Sequence, residues 1–256
     1  MAALKDQTIC LRTHPYSETS QIVILFGRRY GKVRAIAKGS RRPQRGNPQT
    51  LETLSHGQTL FHPARGEAQL ATLQSSDAIE LWSGLRRDML GLYAAQLLAE
   101  LTDQFTADHD PHEILFDALL AALRGLDQGG RADYVLLDYI LTLLEAAGLA
   151  PQWERCGECG NEPAGTKRGV YFSSHRSTLL CGDCEQMAAE KRAVDFAALS
   201  LLRRPETTLN APAHVVLKGL DLLFYHLREQ LGKQTRMMQF IYPLLQQRAK
   251  TESVRS

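Results

Sequence analysis

Two Cys-x-x-Cys pairs constrain this 256-residue chain more than any other feature: Cys156 and Cys159 in "CGECG", then Cys181 and Cys184 in "CGDC" after 21 intervening residues. Each pair lets one tight turn aim two thiolates at a common point, and zinc takes such sulfurs at about 2.3 Å. Glycines at 157, 160 and 182 permit the turns. The intervening "GVYFSSHRSTLLC" reads as a β-hairpin that lays the second pair over the first, as in a zinc ribbon. Four thiolates saturate a tetrahedral ion and leave no position for water, so the spacing predicts one structural zinc per chain. A redox Cys-x-x-Cys needs a surrounding βαβ unit, and none is legible. His175 falls at the hairpin tip as a surface residue. Cys10, alone in an apolar stretch, reads as a buried inert thiol.

The rest of the chain has two textures. Up to about residue 80 the sequence reads as five short strands, "TICLRTH" (8–14), "QIVILFG" (21–27), "KVRAIAK" (32–38), "QTLFHP" (58–63) and "AQLATLQSSDAI" (68–79), separated by Gly- and Pro-rich turns. Five strands with no room for a crossover helix predict a small closed barrel. SH3-like and OB-fold barrels both meet that count, and the OB-fold suits it well.

From residue 81 the apolar period becomes helical, with Leu81, Leu85, Met89, Leu92, Tyr93, Leu97 and Leu101 at helical spacing. "DPHE" predicts a helix start with Asp110 as N-cap, Pro111 at the first position and Glu113 at N3. A further helix over 132–147 ends at Gly148, with Pro151 beyond. Helical periodicity resumes in "DFAALSLLRR" and "HVVLKGLDLLFYHLREQLG", and Pro243 predicts a kink or break in "MMQFIYPLLQQR". The expected fold class is therefore α+β. An N-terminal OB-fold barrel (1–80) is followed by a helical domain (81–150 and 191–247), interrupted by a four-cysteine zinc module (151–190). The polar tail 248–256 is expected to be disordered.

Charge is unevenly spread. Residues 1–80 carry 11 basic and 6 acidic side chains, residues 81–150 carry 4 and 11, and residues 201–256 carry 9 and 4. Eight of the cations lie in 27–46: Arg28, Arg29, Lys32, Arg34, Lys38, Arg41, Arg42 and Arg45. No carboxylate occurs between Glu18 and Glu52. A merely solvated surface mixes signs to limit self-repulsion, so this run predicts a polyanion-binding face. Strand alternation places Lys32, Arg34 and Lys38 on one side, with Arg41, Arg42 and Arg45 in the following loop. Phe26 and Tyr30 are candidates for stacking, although an aromatic in a strand is more often core. The carboxylates of 100–117 read as an ordinary solvated helix face.

No P-loop, GxGxxG, GxSxG or HExxH motif is present, and nothing in the sequence points to an enzyme. No apolar run reaches the length of a membrane span and no signal peptide is legible, so a cytoplasmic location is expected.

The stretch "LRTHPYSETSQIVILFGRRYGKVRAIAKGSRRP" (11–43) resembles the start of the RecO family of DNA repair and recombination mediators. Tyr16, Glu18, Phe26, Gly31, Lys32, Ala37, Lys38, Gly39, Arg41 and Arg42 carry the likeness. The family's layout, an OB-fold and then a helical domain interrupted by a four-cysteine zinc module, extends it over nearly the whole chain. The resemblance implies a non-enzymatic, nucleoid-associated protein that binds single- and double-stranded DNA and anneals complementary strands. It also implies partnership with RecR and single-stranded-DNA-binding protein, and help in loading RecA. On that basis the eight cations are candidate DNA contacts. The acidic tail of single-stranded-DNA-binding protein is expected on the basic 201–256 region, around Arg203, Arg204, Lys218 and Arg228, and RecR on the barrel and its edge. From the residues alone, an RNA-binding module and a protein-binding scaffold remain open, because phosphate contacts do not distinguish ribose from deoxyribose.

Overall fold

The computed structural model describes residues 2–40, 51–64, 69–163, 169–204 and 210–255. The chain divides into two compact units, Met1–Gly130 and Arg131–Ser256.

In the first unit, five strands close a barrel in the order β1-β2-β3-β5-β4: β1 (Leu4–Pro15), β2 (Gln21–Gly27), β3 (Gly31–Ala37), β4 (His56–His62) and β5 (Ala71–Glu80). β1 is long enough to serve two neighbours. Its first half pairs with β4 and its second with β2, and a register shift between Cys10 and Arg12 bends it between them. Closure is completed by a short parallel pairing of Ala35 and Ile36 with Ala71 and Thr72. Small and branched residues fill the interior: Cys10, Val23, Leu25, Val33, Ala35, Ala37 and Ala71, with Leu51 and Phe61. The Cys10 thiol is fully buried, and that burial pushes its pKa up to about 12.

Two helices complete the unit, α1 (Met89–Phe105) and α2 (Glu113–Asp127). Asp88 caps α1 by accepting from the N–H groups of Leu90 and Gly91. The start of α2 departs from expectation. The helix begins at Glu113 without a side-chain cap, and Asp110 instead bonds His112 Nε2 at 3.0 Å. The reason is the segment before it, which is held against β3: His109 N–H donates to Lys32 O at 2.9 Å, and Asp108 bridges to Lys32. Gly31 lies beneath this segment, where an added Cβ would collide with the carbonyl of Asp110. Phe116 of α2 packs on Phe26 and His56, and Glu80 joins His56 Nδ1 (2.8 Å) to Arg124 Nε (2.9 Å). α1 and α2 are thereby fastened to the barrel.

The second unit starts with α3 (Ala132–Ala146), closed as expected by Gly148 in the left-handed region, with Leu149 N–H donating to Leu144 O. A four-stranded sheet follows: β6 (Gln152–Cys156), β7 (Val170–Ser173), β8 (Thr178–Cys181) and β9 (Arg192–Ala193), in the order β6-β8-β7-β9. Three helices come next, α4 (Phe196–Arg203), α5 (Ala213–Leu231) and α6 (Arg236–Arg255). α5 is central and packs against α3, α4 and α6 through Val216, Leu220, Leu223 and Leu227. α6 runs through Pro243 and on through the segment expected to be disordered, where Arg248 and Glu252 form an i,i+4 pair. Among the described residues, no helix is long and apolar enough to cross a membrane.

Candidate metal centre and nucleic-acid interface

The sheet of the second unit brings all four predicted cysteines together. β6 ends on Cys156, and the turn after it closes with Gly160 N–H donating to Cys156 O at 2.9 Å. Gly157 is required there, because a Cβ would collide with Thr178 Cγ2 on β8. β8 ends on Cys181, and Cys184 N–H donates back to Cys181 O at 2.9 Å. Two similar turns at the ends of neighbouring strands thus face each other.

The four Sγ atoms lie within 4.8 Å of one another, and Cys159 and Cys181 are 3.8 Å apart. A tetrahedron with metal–sulfur bonds of about 2.3 Å has edges of roughly 3.8 Å, so the set fits a metal site with four thiolate ligands. Cys181 N–H also donates to Cys156 Sγ at 3.4 Å, a bond suited to a thiolate. The pKa of the Cys184 thiol, hydrogen-bonded to Cys181 and crowded by its neighbours, is pushed up to about 12. Four thiols this close cannot all ionise without a cation among them.

The same module is fastened to its helices by polar and aromatic contacts. Phe172 on β7 stacks against Trp153, Tyr225 and His226. His226 Nε2 donates to Leu149 O at 2.9 Å, which leaves Nδ1 to accept from Ser174 Oγ at 2.8 Å. Exposed His175 sits at the hairpin tip, as expected.

The basic stretch is less simple. Lys32, Arg34 and Lys38 share the outer side of the barrel wall, but Lys32 is only 4% exposed. Its Nζ donates to the carbonyls of Asp103 (2.6 Å) and Thr106 (2.7 Å), and Asp103 Oδ1 lies 3.3 Å away. It thus caps the C-terminal end of α1, where a cation complements the helix dipole. Its expected role as a DNA contact is withdrawn on that geometry. Arg34 Nε pairs with Asp108 at 2.9 Å. Arg28 grips Asp117 with two bonds of 3.0 and 2.8 Å, with Glu113 at 3.4 Å. The carboxylates of the acidic segment are therefore partners of the basic hairpin, not simply a solvated face.

Arg29 and Lys38 are exposed and form no ion pair with the described residues. Lys5, Arg28 and Arg29 line one cleft with Gln7 and Gln58, above the buried carboxylate of Asp6. Asp6 accepts from the N–H groups of Arg29 and Tyr30 and so fixes the β2–β3 turn; burial raises its pKa. Lys5 escaped sequence reasoning because β1 reaches the turn only through the fold. Phe26 is fully buried and Tyr30 packs edge-on against Phe61, so both act as core. Arg41, Arg42 and Arg45 lie outside the described residues.

The four cations expected to receive an acidic partner have diverged. Arg203 is spent on the fold, donating to the carbonyls of Trp153 (2.8 Å) and Glu154 (3.0 Å) and pairing with Glu162. Lys218 pairs with Asp195 at 2.6 Å, and Arg204 is exposed just beyond α4. Arg228 lies 5.7 Å from the Tyr225 ring centre, and Arg192, which sequence reasoning missed, lies 4.3 Å from it. These residues line a cleft with Asp221, Phe224, Met238 and Tyr242, and both cations are paired there, Arg192 with Asp221 at 3.2 Å and Arg228 with Glu229 at 3.1 Å.

Comparison with known proteins agrees with this layout along the chain. A family model described as "Recombination protein O N terminal" matches residues 1–82, and "Recombination protein O C terminal" matches residues 86–238. "DNA repair protein RecO" of Bacillus pumilus (strain SAFR-032) is 31% identical over 201 residues, covering 78% of this chain and 75% of that protein. The protein of the same name from Shouchella clausii (strain KSM-K16) is 30% identical over 180 residues, covering 70% and 68%. With both halves matched and the barrel and cysteine cluster in their expected places, the chain belongs to the RecO family.

Proposed function

We propose that this chain is a DNA-repair recombination mediator whose barrel binds the backbone of single- and double-stranded DNA and promotes annealing. The observation that carries the reading is the outer edge of the β2–β3 hairpin, where exposed Arg29 and Lys38 flank half-exposed Arg28 and Arg34 in a protein of this family. Such a surface holds phosphates without reading bases. With Arg41, Arg42 and Arg45 added, about seven contacts give a log–log salt slope of about −5 on single strands, at ~0.7 per contact. Titrating the full chain with matched DNA and RNA oligomers across a salt series tests this. Tighter binding to RNA, or a slope near zero, would overturn it.

Under the same reading the cysteine cluster holds zinc, which keeps β6 and β8 in register and plays no part in chemistry. The acidic tail of single-stranded-DNA-binding protein docks on the second unit at Arg192 and Arg228. Cations there stand beside apolar Phe224 and Met238, and an acidic peptide would compete with Asp221 and Glu229 for them. RecR docks on the barrel, and RecA loading follows from the assembly. Arg228→Glu is expected to abolish binding of an acidic tail peptide and leave DNA binding intact; unchanged peptide binding would remove this seat.

A further inference from the structure

We infer that Arg28 and Arg34 are latent phosphate seats, each held by an intramolecular carboxylate that a nucleic-acid phosphodiester displaces on binding. The inference rests on the DNA-binding reading above and adds what regulates that surface.

Arg28 holds Asp117 through Nε and Nη2 together, a two-pronged grip that a phosphate fits equally well. Arg34 Nε holds Asp108 in the same way with one prong. All four side chains are well hydrated, with Arg28 and Asp117 39% and 53% exposed and Arg34 and Asp108 46% and 42%. Pairs in such a setting contribute little to stability and exchange readily. The Lys32–Asp103 pair, 5% and 11% exposed and tied to two carbonyls, does not. The hydrogen bond from Arg28 holds the Asp117 carboxyl below the usual carboxylate range, so it stays an anion.

The backbone beneath these carboxylates is anchored by Lys32 to the end of α1, by Phe116 on Phe26, and by Arg124 on Glu80, with Lys32 Nζ also 3.7 Å from Asp108. A phosphate therefore needs to turn only side chains aside. Arg28 also lines the cleft with Lys5 and Arg29, which have no ion-pair partner among the described residues, so a strand held by those two lies beside it. The carboxylates thus compete with phosphate, weaken binding and flatten its salt dependence, because each one set free takes up a counterion.

The experiment compares the full-length wild type with Asp117→Asn/Glu113→Gln and with Asp108→Asn. Each binds a mixed-sequence single-stranded DNA oligomer across a salt series. Each variant is expected to bind about two- to fivefold tighter, with a salt slope steeper by about 0.7. Adding Arg28→Ala to the first variant is expected to erase its gain. Unchanged or weaker binding at an unchanged melting temperature overturns the inference. So does a gain that survives Arg28→Ala, which would report only lower net negative charge. An equal gain for a polyglutamate peptide also overturns it, and would assign the seats to an acidic protein. Should one variant melt early, the other decides. If the wild type binds no DNA the functional reading itself fails, whereas wild-type binding with unmoved variants sinks this inference alone.

Discussion

The cysteine cluster and the basic hairpin both stand out in sequence, but the fold gathers the first and divides the second. Cys156, Cys159, Cys181 and Cys184 converge to within 4.8 Å, because each pair shares one turn and the hairpin between the pairs supplies the rest. The eight cations of 27–46 have no such common target. One is buried under α1, two are paired with carboxylates from α2 and the segment before it, and two are exposed with no ion-pair partner among the described residues, outside which the other three lie. Ligand spacing carries its own geometry, whereas charge spacing acquires geometry from whatever packs against it.

The largest effect is expected on the gathered side. Cys159→Ser should lose the metal and lower stability by several kcal/mol, since binding energy at a structural zinc is folding energy on the order of 10 kcal/mol. Metal analysis and thermal melting of the purified chain check this, against one zinc per wild-type chain. Wild-type protein without zinc, and with all four thiols freely titratable, would end the comparison as drawn. On the divided side, Lys32→Met strands Asp103 and two carbonyls and should cost about 3 kcal/mol. Lys38→Met, on the same strand side, should stay within about 0.5 kcal/mol. Urea unfolding distinguishes them, and equal costs would mean that the hairpin cations are interchangeable after all.

What was legible in the sequence follows the same division. The barrel strands, the helix end at Gly148 and the cysteine cluster all rest on signals a few residues long: alternation, a left-handed glycine, paired cysteines. The fate of Lys32 was not local, because its partners stand at 103 and 106, beyond β4 and β5. The acidic excess of 81–150 was a usable signal, but its natural reading as a solvated face hid that Asp108 and Asp117 balance Arg34 and Arg28. The N-cap at Asp110 failed for a related reason. The docked segment before α2 occupies that residue, and the helix starts where the chain leaves β3. Arg192 could not be paired with Arg228 without knowing that both reach Tyr225.

A smaller effect sharpens the hairpin's role. Arg29→Ala combined with Lys38→Ala removes the two unpaired cations and should weaken binding of all DNA sequences alike. The salt slope should fall in magnitude by about 1.4, from ~0.7 for each contact on single strands. Sequence-dependent loss would mean that these residues touch bases and that the surface is not a backbone reader.

The smallest effect tests how firmly the cysteine module is held to its helices. His226 is fully buried, with Nε2 donating to Leu149 O and Nδ1 accepting from Ser174 Oγ. Burial depresses its pKa below the ordinary value of 6.5, while the Leu149 bond and Glu190 oppose the shift. The folded state thus binds the proton less readily than the unfolded chain. Stability is full above about pH 6.5 and is lost as pH falls from there through the lower folded value, by no more than about 1.4 kcal/mol per unit for one proton. Protonation would also put a second donor where Ser174 Oγ now donates, so the hydroxyl must turn to stay bonded. His226→Gln should flatten the dependence of unfolding midpoint on pH between about 6.5 and 5, at some cost in stability near pH 7. A variant with the same pH slope as the wild type would place the titrating group elsewhere and leave the aromatic stack on Phe172 as the main fastening of the module.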